Sequence, residues 1–110
     1  MFCISGATSA HVAAAAGDLR TLKAEAAKNP DVLNQADENG WKPIHEAARA
    51  GRHKVVQYLI DEGVDVNERT HSGEGATPLW WAEKSFSERH AVVTVLRKAG
   101  AKSKPPRRQK

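Results

Sequence analysis

The stretch from Asp37 to Arg69, DENGWKPIHEAARAGRHKVVQYLIDEGVDVNER, constrains the fold most, because the residues on both sides of it read as altered copies of it. An acidic and amide cluster ends at Gly40, and Pro43 stands just ahead of a short Ala-rich segment, Ile44 to Ala50. Proline fits the first helical turn, where its missing N–H would have no partner anyway, and Gly51 halts the run, so a short helix is predicted between them. Lys54 to Glu62 then places Val55, Val56, Leu59 and Ile60 on one helical face, and Gly63 supplies a left-handed terminator. Ala47 and Ala48 carry almost no side chain, so the two antiparallel helices can approach closely. Such a pair cannot bury both faces alone and needs stacked neighbours.

Residues 8–36 form a first copy: His11, Ala13-Ala14 and Gly17 precede His45, Ala47-Ala48 and Gly51 by 34 positions. Its second helix carries Leu19, Leu22 and Ala26 and ends at Lys28-Asn29-Pro30-Asp31. Residues 70–101 form a third copy, with Thr77-Pro78-Leu79-Trp80 over Lys42-Pro43-Ile44-His45, Val92-Val93 over Val55-Val56 and Gly100 over Gly63. The spacing grows from 35 to 37 across that copy, which places loop insertions around His71 to Glu74 and around Ser85-Phe86-Ser87. The smaller side chains of the first copy, and the change to Arg97 and Lys98 after Leu96 in the third, suit outer faces that meet water.

Helix, glycine turn, helix, then Val-Asp-Val-Asn and an extended turn resembles the ankyrin repeat. Asp37, Gly40, Pro43, His45, Ala47, Ala48, Gly51, Val55, Val56, Leu59, Gly63, Asp65, Val66 and Asn67 stand at consensus positions of that family. A tetratricopeptide array has a similar period but lacks the Pro-x-His and Asp-Val-Asn signatures. The resemblance implies an all-α ankyrin repeat solenoid of helix-turn-helix units with short β-hairpin-like fingers. It assigns residues 1–101 to the repeat domain, with repeats at about 5–36, 37–69 and 70–101, and leaves 102–110 as a basic, Pro-containing tail. It also implies a structural role for the repeat histidine, which with a threonine hydroxyl ties down the turn ahead of the first helix. Thr8 and His11 keep both partners, the second repeat has Lys42 with His45, and the third has Thr77 with Trp80. A turn missing one partner is held less firmly by about 1 kcal/mol, and the third repeat, which carries both loop insertions as well, is expected to be the loosest and to exchange its amides fastest.

Composition excludes several classes of function. A chain of 110 residues with Cys3 as its one cysteine has no disulfide framework, and no apolar run is long enough to span a membrane. The N-terminal residues are small and apolar but lack a basic leader and are claimed by the first repeat, so an intracellular location, cytoplasmic or nuclear, is expected. His53, His71 and His90 fall at unmatched spacings, and neither a phosphate-binding glycine loop nor a nucleophile elbow is present. The chain is therefore read as a non-enzyme without metal or cofactor.

What remains is surface. In ankyrin proteins partners dock in the angle between the fingers and the wall of first helices. That carry-over implicates Glu38, Asn39, Trp41, Glu46, Arg49, Arg69, His71, Ser72, Glu74, Trp81 and Lys84 in binding another protein. Trp41 and Trp81 stand out, because interface energy concentrates in Trp, Tyr and Arg; each can equally pack within the fold, and Trp80 in the histidine slot is read as packing. From Arg97 onward seven cationic side chains meet no carboxylate, which leaves the residues before them at about −3 against a whole-chain charge of +4. Pro105-Pro106 favours an extended segment that splays Lys102, Lys104, Arg107, Arg108 and Lys110 into solvent. Such a strip fits nucleic-acid phosphates, an acidic protein groove or an importin, and equally a merely solubilising tail. The leading expectation is a non-catalytic protein–protein interaction module. The alternative is a structural subunit of a larger assembly, the tail anchoring it against RNA or an acidic neighbour.

Overall fold

The computed structural model describes residues 9–37, 40–70, 75–87 and 90–106. Six helices stack as three antiparallel pairs: α1 (Ser9–Ala16) with α2 (Leu19–Lys28), α3 (Pro43–Ala50) with α4 (His53–Asp61), and α5 (Pro78–Ser85) with α6 (Ala91–Lys98). A 3-10 turn, Pro30–Asn34, follows α2. Among the described residues there is no strand. The bases of two fingers nevertheless close by backbone hydrogen bonds, Asp37 N to Trp41 O and Thr70 N to Ala76 O. The fold is the all-α solenoid that the pattern implied.

Local chemistry places the helix ends. Pro43 and Pro78 occupy the first turns of α3 and α5. Asp18 caps α2 by accepting from Thr21 N and from the Thr21 hydroxyl, and these two bonds hold its carboxyl below the ordinary range. His90 caps α6, its Nδ1 accepting from Val92 N at 3.1 Å. Ala13, Ala14, Ala47, Ala48 and Ala82 are buried where α1, α3 and α5 pack side by side. Leu22, Ile44, Val55, Val56, Leu59, Val92, Val93 and Leu96 fill the space between these helices and their partners.

The repeat histidines tie each pair to backbone beyond it. His11 Nε2 donates to Trp41 O at 2.8 Å, and His45 Nε2 donates to Glu68 O at 2.7 Å while its Nδ1 accepts from Lys42 N. In the second repeat the Lys42 backbone amide thus replaces the missing hydroxyl as the partner of the imidazole.

The third repeat is tied differently from the sequence expectation. Thr77 donates its hydroxyl to Lys102 O at 2.6 Å, accepts from Lys104 N at 3.0 Å, and gives its own N–H to Lys104 O. Asn67 Oδ1 accepts from Lys102 N, Arg69 Nη1 reaches Pro105 O, and the Ser103 hydroxyl reaches Glu83. Residues 102–106 are a strap whose backbone is held by side chains of the second and third repeats, while the Lys102 and Lys104 side chains stay exposed. Thr77→Val removes both hydroxyl bonds and strands the Lys104 amide, and should lower unfolding free energy by about 1–3 kcal/mol in urea melts.

Phe86 is the second departure. Placed in a loop insertion by spacing, it stands where Gly17 and Gly51 stand in the other repeats, and its half-buried ring lies against Gly51 and, 4.2 Å away between centroids, His90. Arg52 does the corresponding work one repeat earlier. Its side chain crosses Gly17 and its Nε donates to Ala15 O, a carbonyl at the C-terminal end of α1.

Candidate partner-binding face

Because α1, α3 and α5 are short and parallel, residues just ahead of or early in each helix line up across repeats. Trp41 precedes α3 and Trp81 lies in the first turn of α5, and their rings meet at 4.6 Å between centroids. Trp80 meets Trp81 edge-on at 4.9 Å, and the Trp41 and His45 rings meet in a T-shaped contact at 5.9 Å. All three tryptophans are half-buried, so part of each is presented to solvent.

Cations frame this aromatic row. The Arg49 guanidinium lies 5.2 Å over Trp41, with Nη2 bonded to Glu46 Oε1 at 3.2 Å. Lys84 Nζ sits 5.3 Å over Trp80. Desolvated cation–π contacts contribute up to about 2 kcal/mol against about 0.5–1 when exposed, so shielding this row from water would strengthen contacts already formed. Trp81 Nε1 is buried without a hydrogen-bond partner, the one such side-chain atom among the described residues. An unmet buried donor costs about 1–3 kcal/mol, a cost that other contacts of the ring must offset in the free protein.

Beside the row, His11, Val12, Ala15, Ala16 and Glu46 line an open hollow of about 420 Å³. Val12 is 65% exposed and is the large apolar side chain left in water among the described residues. Sequence reasoning passed over it, although an isolated valine in an alanine helix, one position away from the buried Ala13-Ala14 pair, is the signal that could have found it.

Of the residues implicated from sequence, Trp41, Glu46, Arg49, Trp81 and Lys84 come together here. Arg69 does not join them: its Nη1 bridges Gly75 O at 2.8 Å and Pro105 O at 2.9 Å, bracing the finger against the strap. Trp80, read as packing, is at once packed on Trp81 and partly open. Glu38, Asn39, His71, Ser72 and Glu74 at the finger tips lie outside the described residues, as do Cys3, Thr8, Arg107, Arg108 and Lys110. Among the described residues no three of His, Cys, Asp and Glu gather as a metal site, and no helix is long and apolar enough to cross a membrane.

Comparison with known proteins places the architecture. The family model for ankyrin repeats matches residues 6–105 in three copies. NAD-capped RNA hydrolase NUDT12 of Homo sapiens is 40% identical over 76 residues, which is 66% of this chain but only 16% of the hydrolase. An ankyrin repeat-containing protein of Schizosaccharomyces pombe is 45% identical over 51 residues, covering 46% of this chain and 24% of that protein. The human ASB11 ankyrin repeat domain superposes with a TM-score of 0.76 at 35% identity, covering 87% of this chain and 41% of that one. A chain of the complex between the predatory endopeptidase Bd0816 of Bdellovibrio bacteriovorus and immunity protein Bd3460 gives 0.75 at 32% identity, covering 88% of this chain and 48% of its own. The chain thus spans under half the length of each of these relatives.

Proposed function

The chain belongs to the ankyrin-repeat family, whose repeats generally serve protein–protein interaction, and from that premise we propose that it is a non-catalytic module binding a partner protein through the wall formed by α1, α3 and α5. The contact of Trp41 with Trp81 carries this reading. It puts two large, rigid, partly open rings where α3 meets α5, with Arg49, Glu46 and Lys84 at their rim and the Val12 hollow on the α1 side. An anchor of aromatic and arginine side chains surrounded by polar groups is the arrangement in which binding energy concentrates. The complex of an endopeptidase with an immunity protein that contains a similar chain supports a role in holding another protein. The NAD-capped RNA hydrolase matches only over the repeat-bearing share of its length, so its chemistry is not carried over. The finger residues Glu38, Asn39, His71, Ser72 and Glu74 extend the same surface in this reading.

The test compares three full-repeat proteins as bait in the native extract: wild type, Trp41→Ala with Trp81→Ala, and a chain ending at Pro106. The last cut spares the strap that Thr77 holds. The partner recovered by wild type should be lost with the tryptophan pair and kept without residues 107–110. Calorimetry with that purified partner should then show the Trp41→Ala dissociation constant raised about tenfold or more. Loss with the tail, and retention with the tryptophan pair altered, would instead make the repeats a scaffold for a basic anchor.

A further inference from the structure

Ser103 stands at the middle of the strap, between the two residues whose backbone Thr77 grips. Its exposed hydroxyl donates to Glu83 Oε1 at 2.6 Å, and Glu83 is engaged on its other oxygen by Arg97 Nη2 at 2.8 Å. The serine is therefore both reachable and bound to a partner whose charge opposes any added anion. In sequence it is flanked by Lys98, Lys102, Lys104, Arg107 and Arg108, a cationic setting that fits an enzyme with an acidic substrate groove. From these placements we infer that Ser103 is a phosphorylation site whose modification unlatches residues 102–106 from the third repeat.

The step is an ordinary phosphoryl transfer from a nucleoside triphosphate. Ser103 Oγ forms a bond to the γ-phosphorus, the bond from that phosphorus to the bridging oxygen breaks, the nucleoside diphosphate leaves, and the hydroxyl proton passes to the kinase. A donor facing a carboxylate thereby becomes an acceptor-only group bearing nearly two negative charges. Glu83 then repels what it held. Arg97 is already committed to Glu83, so the phosphate must either break that pair or leave. Departure of the strap takes the Lys102 and Lys104 carbonyls from Thr77, the Lys102 amide from Asn67 and Pro105 O from Arg69, and opens that edge of the third repeat to solvent. This inference concerns a surface apart from the tryptophan row and stands whether or not that row binds a partner.

Two measurements on the full chain decide it. Incubation with ATP and a serine/threonine kinase selective for basic flanks, followed by peptide mapping, should find phosphate on Ser103; a chain left unmodified there by such kinases overturns the site. The second uses chains with phosphoserine installed at position 103, with Ser103→Ala, and with phosphoserine plus Glu83→Gln. Amide exchange at Thr77, Lys102 and Lys104 should accelerate about tenfold or more with phosphoserine, less with Ser103→Ala, and return toward wild type when Glu83→Gln removes the repulsion. Slower exchange with phosphoserine would show that Arg97 re-pairs with the phosphate and tightens the strap, and would overturn the release. Exchange that is equally fast in the Glu83→Gln background would overturn the role of Glu83.

Discussion

Gly51→Ala is expected to lower unfolding free energy by about 2–5 kcal/mol, roughly twice what the same change costs at a left-handed glycine open to solvent. Gly51 ends α3 at φ +76°, a conformation that side chains disfavour, and an added Cβ would lie 2.6 Å from Phe86 Cζ and 2.9 Å from Cε2. Backbone strain contributes about 1–2 kcal/mol and displacement of the ring about 1–3. The two contributions separate by comparison. Gly63 has φ +87° with nothing near its missing Cβ, so Gly63→Ala reports strain alone, about 1–2 kcal/mol. In a Phe86→Ala background, Gly51→Ala should fall to that same value. Denaturant melts of wild type and these four variants, Phe86→Ala included, check this, and equal penalties at Gly51 and Gly63 would mean that Phe86 does not wedge the second and third repeats together.

Acid should unfold the protein through His45. The imidazole is fully buried, and burial, ahead of the neighbouring Lys42 charge, pushes its pKa down from 6.5 to about 4 against the raising effect of the Glu68 carbonyl. Its folded value therefore lies below its unfolded one. The neutral ring contributes fully above pH 6.5, and the contribution fades as pH falls toward 4. Linkage gives a loss of about 2 kcal/mol by pH 5 and about 3 kcal/mol by pH 4. The geometry supplies the reason: Nδ1 must accept from Lys42 N, so a proton there breaks the bond that starts α3. His45→Gln should be less stable at pH 7 and should lose correspondingly less between pH 7 and 5. A wild-type urea midpoint that does not move over that interval would exclude His45 as the acid-labile group. At Glu83 burial raises the carboxyl pKa, but the bonds from Ser103 and Arg97 and the Arg97 charge together outweigh it and hold the pKa below the ordinary value.

Both effects reach the wall to which partner binding is assigned in the proposed function. His45 meets Trp41 edge-on, so if the proposed partner docks on Trp41, its binding should weaken in the same acidic window in which the fold does. Gly51 and Phe86 set how α5 sits on α3, and with it the meeting of Trp81 with Trp41.

Much of this was legible in the order of residues. Pro43, Gly51 and Gly63 fix helix ends by local backbone geometry, the apolar spacing of Val55, Val56 and Leu59 fixes a buried face, and alanines mark where helices approach, so α3 and α4 and their copies could be placed without coordinates. The repeat pattern also gave His45 its structural role and brought Trp41, Glu46, Arg49, Trp81 and Lys84 onto one surface. Only tertiary structure decided that Trp41 and Trp81 touch, that Phe86 fills the space above Gly51, that Arg69 turns to the strap, and that residues 102–106 are gripped by Thr77 and Asn67. Each of these joins residues 25 to 40 positions apart at places where the copies diverge. Several of the atoms concerned are backbone amides and carbonyls, which every residue carries alike, so no side-chain pattern announces them.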